Sequence, residues 1–497
     1  MTPSDAVATD AGERRLHPWS WLFVLLQQLK QFIVPLVALL VVGQGDRNEL
    51  WPLVGVGVLV MFAVLQYFTY RYQVGSDAIT IRSGWLHRSR REIPFARIHN
   101  VAVQQSVLHR LFGVAEVRLE SAGGARPEAE MRVLKLDDAL ALEALVRRRG
   151  HRTAAEDATI DDTVLLALPP GEVVKLGLIS NRGMLVVAGA VAALSQFSPR
   201  LLPNLFEDWS QWALGWIASN GTDIADHWSG YVFAVLSLVV LAAVALRLLS
   251  VLLALLQFYG FRLSEHGRKL AVERGLLARW RTAAARRRIQ AWTLHEGWLH
   301  RRFRRRSLVV DTAGAADRNL QRALHEIAPI APPETCDALV EHLLPAAGWG
   351  ALDWQPLHPR AWRRLALPGV LFALLATPLL CWRFGVPGLS MLLWIPWALH
   401  AARQHARRAG FAINERLVAV RGGWYQRFWR FAEIDKLQAL RLSRTPFDQR
   451  HGMATVWLDT AGAGALQPPL RIRYVDVATA RALHDRLAAA LARRQAR

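Results

Sequence analysis

Six apolar runs stand out along the chain, and they come in pairs. A helix needs about 20 mostly apolar residues to cross a bilayer. The runs cover residues 19–42, 50–70, 176–197, 231–258, 365–382 and 386–400. The first opens with Gln27, Gln28 and Lys30. Its start therefore reads as an interfacial segment anchored by Trp19 and Trp21, with the crossing beginning near Leu29. The third, broken by Ser180, Asn181 and Arg182, reads the same way. The fourth is the strongest, with Arg247 placed to snorkel towards the cytoplasmic interface. The third and sixth also fit helices buried inside soluble domains.

Between the pairs the pattern changes to short alternating stretches. Residues 78–123, 269–314 and 417–462 align without a gap, at offsets of 191 and 339. The first segment shares 12 of 46 positions with the second and 11 with the third. Roughly three would be expected from average composition. Ile79-Thr80-Ile81-Arg82-Ser83-Gly84-Trp85 faces Leu270-Ala271-Val272-Glu273-Arg274-Gly275-Leu276 and Val418-Ala419-Val420-Arg421-Gly422-Gly423-Trp424. Alternation, then glycine, then a second run predicts a β-hairpin turning at Gly84, Gly275 and Gly423. Arg88, Arg279 and Arg427 recur at one position of the return strand. Further strands are expected at 98–103, and at 114–120, 308–311 and 455–459. Helical periodicity then predicts closing helices over 137–148, 333–344 and 476–493. Leu16-His17-Pro18 and Leu357-His358-Pro359 precede the first and third apolar pairs, each followed by a tryptophan at the same spacing, so the repeat includes the membrane segment.

These boundaries divide the chain into an N-terminal segment with hairpin 1 (1–70), domain 1 (71–160), hairpin 2 (161–259), domain 2 (260–356), hairpin 3 (357–402) and domain 3 (403–497). The expected class is mixed membrane α and β: six transmembrane helices in three hairpins, alternating with three β-barrel or sandwich domains. The polar first 13 residues and the long run behind them do not read as a cleavable signal.

Charge orients this arrangement. The chain of 497 residues carries 61 Lys and Arg against 40 Asp and Glu. Only Arg47, Arg200 and Arg383 lie in the connections inside the pairs. Retained positive charge places all three soluble domains and both termini on the cytoplasmic side. The middle domain is the most basic. Residues 262–306 hold 14 basic and 3 acidic side chains. Arg286, Arg287, Arg288, Arg301, Arg302, Arg304, Arg305 and Arg306 form its two runs. Beside a cytoplasmic leaflet the nearest counter-charge is anionic lipid, each basic residue contributing about 1 kcal/mol. Retention of the domain inside the cell accounts for the same charge equally well. Nucleic acid is the weaker reading. Trp280, Trp292 and Trp298 lie nearby but do not form an interleaved stacking pattern.

The strand, the glycine turn, the basic return strand, Ile93-Pro94-Phe95-Ala96-Arg97-Ile98, and the Leu108, Arg110, Phe112, Gly113 segment resemble the bacterial PH-like domain of the YdbS/YdbT membrane proteins. Three such domains with membrane hairpins resemble the YdbT type. The second copy departs from the pattern, with alanines in place of Ile93-Pro94 and Arg304 in place of Gly113. The third has Phe431-Ala432-Glu433 in place of Glu92-Ile93-Pro94. The resemblance implies a small bent sheet domain closed by a helix. It also implies a bacterial cytoplasmic-membrane location, no enzymatic activity, a link to envelope stress or antimicrobial resistance, and a smaller one-domain partner.

The motifs of catalysis are missing from the sequence: a nucleotide loop, a zinc-protease helix and a nucleophile elbow. Cys336 and Cys381 are too few for a disulfide framework or a cysteine metal site. His99 and His109 become Gln438 and Asp448 in the third copy. The expectation is a non-enzyme without cofactor or metal. It would bind lipid headgroups or protein segments at the cytoplasmic face. The alternative is a component of a membrane transport or export complex. The spans hold Arg and Lys but almost no carboxylates, which weighs against a conducting path.

Overall fold

The computed structural model describes residues 69–75, 77–83, 88–121, 129–149, 163–197, 221–267, 269–312, 325–461 and 467–495, with isolated positions elsewhere. Most of residues 19–42 and 50–70 lie outside the described set, as does Gly84.

Each soluble repeat lays down seven strands and a closing helix. In the first these are β1 (Arg14–Arg15), β2 (Arg71–Val74), β3 (Ala78–Ser83), β4 (Ser89–Pro94), β5 (Ile98–Gln105), β6 (Val114–Ser121) and β7 (Ala129–Lys135). The one-turn helix α1 (Val107–Leu111) links β5 to β6, and α2 (Leu136–Arg149) closes the unit. The second repeat starts with β8 (Thr163–Ala167). After helices α3 (Pro170–Ile179), α4 (Arg182–Phe197) and α5 (Gly221–Phe258) it continues with β9 (Arg262–His266), β10 (Lys269–Arg274), β11 (Arg279–Ala285) and β12 (Ile289–Glu296). It ends with α6 (Trp298–Arg302), β13 (Arg306–Thr312), β14 (Glu326–Ala331) and α7 (Pro333–Leu343). The third repeat runs β15 (Gln355–Pro356), α8 (Ala361–Phe384), α9 (Trp394–Arg408), β16 (Gly410–Ile413), β17 (Leu417–Gly422) and β18 (Arg427–Glu433). Then come β19 (Leu437–Ser443), α10 (Pro446–Arg450), β20 (Met453–Thr460), β21 (Arg471–Asp476) and α11 (Val477–Gln495).

The strand ahead of a membrane segment pairs with the strand behind it. Arg14 faces Tyr72 across β1 and β2, and Gln355 faces Phe411 across β15 and β16. In chain order an apolar run is therefore inserted between the first two strands of the sheet.

Alternation puts one face of each hairpin in a core. Ile79, Ile81, Ile93, Val117, Leu119 and Met131 join Leu142 and Val146 of α2. Val418, Val420, Ala432, Val456 and Ile472 join Leu487 of α11 in the equivalent core. The turn glycines are needed for their backbone. Gly275 has φ 114° and Gly423 φ 84°. A Cβ on Gly423 would lie 1.7 Å from the Gln426 carbonyl oxygen. After each one-turn helix the chain also passes through the left-handed region, at Gly113 (φ 65°), Arg304 (φ 49°) and Gly452 (φ 67°). Arg304 thus occupies a glycine position.

Sheets do not stop at repeat boundaries. One seven-stranded sheet has the order β7-β6-β5-β11-β10-β9-β8, and another β14-β13-β12-β18-β17-β16-β15. The last three strands of one repeat continue into the first four of the next. This leaves a four-stranded sheet β1-β2-β3-β4 at one end and a three-stranded sheet β19-β20-β21 at the other.

Residues 167–261, with 274–277, form a unit of their own. Here α3 and α4 meet at a 53° bend, at Ser180 and Asn181. The bend frees carbonyls, and Arg247 of α5 serves them. Its guanidinium donates to Leu178 O at 3.1 Å, Ser180 O at 3.3 Å and Asn181 Oδ1 at 3.2 Å. Arg247 is therefore a partner of the helix break; snorkelling alone does not describe its role. Small residues let the helices touch: a Cβ on Gly177 would lie 2.4 Å from Val251 Cα, and the Gly183 amide donates to Ser250 Oγ at 2.8 Å. Among the described residues two helices have the length and apolarity to cross a bilayer, Val235–Phe258 and Ala361–Arg383, with mean hydropathies of 2.7 and 2.0. The bent pair brings the number to three if it counts as one span. The expected sixth crossing differs from a regular span: Val386–Leu393 is 3-10 helix before α9 begins.

Candidate functional site

The two basic runs of the second repeat lie at opposite ends of β12. Arg286–Arg288 form a 3-10 turn before it, and Arg301–Arg306 follow it through α6. Eight residues of strand separate them by roughly 23 Å. They do not form one patch.

Several of these arginines hold the fold together. Arg286 pairs with Glu265 at 3.3 Å and donates to the His342 carbonyl at 3.2 Å and to that of Leu343. It thereby satisfies the C-terminus of α7. Arg306 pairs with Glu296 at 3.3 Å and Asp337 at 3.1 Å, and lies over the Trp429 ring at 4.7 Å. Arg301 donates to the Tyr425 carbonyl at 3.2 Å. Arg305 folds back onto the Phe303 and Arg304 carbonyls. Arg288 is half-buried, and Arg287, Arg302 and Arg304 are exposed.

The second run meets the third repeat at the tip of the β17–β18 hairpin. Trp298 stacks on Tyr425 with ring centroids 6.5 Å apart, both more than half exposed. Trp424 in the same tip packs 5.5 Å from Trp397 and 5.3 Å from His400 of α9. Arg408 donates to the Trp424 carbonyl at 3.4 Å. The tip therefore lies beside α9 where its apolar start gives way to Arg403, Arg407 and Arg408. Arg403 covers Trp362 at the start of α8, at 4.6 Å.

Behind this tip runs the seam between β12 and β18. It pairs Glu296 with Arg427, His295 with Phe428, Leu294 with Trp429, Thr293 with Arg430 and Trp292 with Phe431. Arg427 contacts Glu296 at 3.2 Å. Arg430 is 1% exposed, and donates to Asp311 Oδ2 at 2.6 Å and Thr293 Oγ1 at 2.9 Å. Gln467 joins His295, at 3.1 Å, to His325, at 2.9 Å. Burial keeps the His295 imidazole below its ordinary pKa, with the Gln467 hydrogen bond acting against it. Burial lowers His300 of α6 to about 4.

Of the recurrent positions, Arg427 is a seam residue and Arg279 its counterpart in β11, where it faces Gln105. Arg88 is exposed. The reading of the sequence missed the Arg430–Asp311 pair. One signal was available, since an acid recurs at that position of the repeat as Glu120, Asp311 and Asp459. Among the described residues no group of His, Cys, Asp and Glu is arranged to hold a metal ion.

The family model described as Bacterial PH domain matches residues 22–150, 223–346 and 365–491. The chain is similar to the transmembrane protein YdbT of Bacillus subtilis (strain 168), 20% identical over 470 residues that cover 89% of this chain and 92% of the relative. No solved structure matches it. Three domain matches, the triplicated sheet unit and the apolar helices lead to one conclusion: the chain belongs to the bacterial PH domain family, as a YdbT-type transmembrane protein with three such domains.

Proposed function

We propose that the chain is a non-enzymatic multi-pass protein of the bacterial cytoplasmic membrane. Six spans in three hairpins hold its PH-like domains at the cytoplasmic face. There the second and third domains together bind the headgroups of anionic lipids. The supporting observation is the hairpin tip beside α9. Trp298, Phe303 and Tyr425 are exposed, and so are Arg302 and Arg304, which flank Phe303 in the chain. An amphipathic aromatic ring next to a cation suits the headgroup layer, where ring and charge are both accommodated. The tip packs against α9 at its apolar-to-basic boundary, which supports that depth.

The test uses the full chain in detergent, with bound lipid counted by native mass spectrometry. The wild-type chain should retain phosphatidylglycerol in preference to phosphatidylcholine. Replacing Arg301, Arg302 and Arg304 together by Gln should lower that preference on the order of tenfold to a hundredfold, at about 1 kcal/mol per residue. An unchanged preference removes lipid binding from this loop.

A further inference from the structure

Helix α5 changes character at Arg247. Every described side chain from Val232 to Ala245 is exposed, and all but Ser237 are apolar. A helix that is apolar on all sides and exposed on all sides faces lipid. Beyond Leu246 buried positions appear at Ser250, Ala254 and Phe258, and α3 packs there through Gly177 against Val251. The other face of α3 is polar, with Glu172 paired to Lys175 at 2.9 Å. An arginine at the end of such a run belongs at the level where hydrocarbon gives way to headgroups.

At this level the surface is concave. Arg247 lines an open groove of about 340 Å³ together with Leu178, Val240, Ala243, Val244 and Leu248. The five residues of α5 share one helical face, and Leu178 comes from the last turn of α3, just before the bend. Arg247 is the one polar side chain among the six.

The helix break engages only part of that side chain. A guanidinium carries five N–H donors. Arg247 uses Nη1 for the Leu178 and Ser180 carbonyls and for Asn181 Oδ1, all neutral acceptors. Among the described residues no carboxylate pairs with Arg247, and its Nε and Nη2 have no acceptor. Neither atom is buried. The Nε–Nη2 edge is a fork that takes two oxygens of a phosphate side by side. A cation against apolar surface is costly without a counter-charge, and the anion that a bilayer supplies at this depth is the lipid phosphate.

We infer that Arg247 and the groove form a binding site for one phospholipid, with its phosphodiester on the Nε–Nη2 edge and the first part of an acyl chain along Leu178, Val240, Ala243, Val244 and Leu248. No carboxylate lines the groove to select an ammonium headgroup, so phosphate and chain together decide what binds. This separates the site from the hairpin tip beside α9, where the criterion is net negative charge. The inference goes beyond that reading and does not depend on it.

The test uses the full chain in detergent. Phosphatidylglycerol, phosphatidylethanolamine, diacylglycerol and glycerol phosphate are offered in turn, and bound molecules are counted by native mass spectrometry. Both phospholipids should bind. Diacylglycerol, which lacks the phosphate, and glycerol phosphate, which lacks the chains, should bind about tenfold more weakly or worse. A phosphatidylethanolamine with a photoactivatable diazirine in its acyl chain should label α5 between Val240 and Leu248. Arg247→Gln keeps an amide donor for the helix break and should weaken that labelling about tenfold, while Arg247→Lys should retain part of it. Ala243→Trp fills the groove from an exposed position and should abolish the labelling, so a folding defect in Arg247→Gln still leaves a test. Replacing Arg301, Arg302 and Arg304 by Gln should leave the labelling unchanged, which keeps the two lipid sites apart. Labelling that survives Ala243→Trp would overturn the inference. Labelling lost in Ala243→Trp but intact in Arg247→Gln would reduce the groove to an apolar contact and overturn the phosphate assignment. Diacylglycerol binding as tightly as the phospholipids would do the same, and a wild-type chain that takes no label on α5 would show the groove to be covered by another part of the protein.

Discussion

The two internal seams share a backbone register and differ in what fills it. The seam between the first and second repeats pairs three residues, and its side chains are Gln104, Gln105, Val103 and the partly exposed Arg279, Trp280 and Arg281. Gln105 turns inward to donate to the Val114 carbonyl at 3.0 Å. Glu143 of α2 reaches Arg281 at 3.7 Å. The seam between the second and third repeats pairs five residues and buries an arginine, an aspartate and a stacked Trp292–Phe431 pair, with centroids 6.3 Å apart and planes 2° from parallel. Register alone therefore joins the repeats, and side chains set how firmly each joint is held. The first seam is held by pairs that water can replace. The second contains a charge pair that cannot be separated without leaving an ion in a dry site.

Removing one member of that pair should be the largest single effect. Arg430→Met leaves Asp311 buried without its cation, and a broken buried pair costs about 3–5 kcal/mol. Gln105→Leu in the first seam removes one neutral hydrogen bond and should cost about 1 kcal/mol. Amide exchange of the full chain in detergent reads both, at β12 and β18 for the former and β5 and β11 for the latter. Adding Asp311→Leu to Arg430→Met should recover most of the loss, because an apolar pair of similar volume tolerates burial. Equal sensitivity of the two seams would show that the difference in their fillings has no energetic meaning.

Acid offers a second way to separate them. The second seam holds His295, which faces Gln467, His325, Arg430 and Asp311, with His300 close behind it in α6. Both imidazoles have folded pKa values below the ordinary 6.5, and burial is the leading cause for each. The unfolded chain therefore binds more protons than the folded one as pH falls. Stability is fully present above 6.5 and is lost below it, for His300 down to about 4. Exchange at β12 and β18 should rise over that window while β5 and β11 stay comparatively constant. His300→Gln should reduce the acid response without abolishing it, since His295 still titrates.

The features that sequence revealed were local ones. The β-hairpins follow from period-two alternation and from a glycine whose φ no other residue adopts cheaply, as at Gly423. The closing helices α2, α7 and α11 follow from the 3.6 period, and the break between α3 and α4 from Ser180-Asn181-Arg182. Features hidden from the sequence depend on partners far along the chain. Strands β1 and β15 have two residues each, too short for any periodic signal, and become strands only because β2 and β16 return to them. The seams leave no local mark. Arg91 and Arg430 hold the same repeat position, yet one is exposed and the other fully buried, because only the second has a neighbouring repeat beside it. Along the chain the two arginine runs of the second domain read together as one candidate lipid contact. A strand separates its halves, and Glu265, Glu296 and Asp337 engage two of its members.

The smallest expected effect concerns a left-handed position that the first and third repeats fill with glycine and the second with arginine. Gly113 and Gly452 enter the left-handed region without a side chain, and Arg304 enters it with one. A non-glycine residue there carries about 1 kcal/mol of unfavourable backbone energy. Arg304→Gly should relieve it and raise stability by roughly that amount, less the extra freedom glycine gives the unfolded chain. Nothing in the folding of the loop calls for an arginine, since the first and third repeats make the same turn with glycine. The strain is explained if the exposed Arg304 side chain serves the lipid surface. The same variant should then gain stability and lose part of its preference for phosphatidylglycerol. A gain in stability with lipid preference intact would leave the strained arginine without a function in this loop.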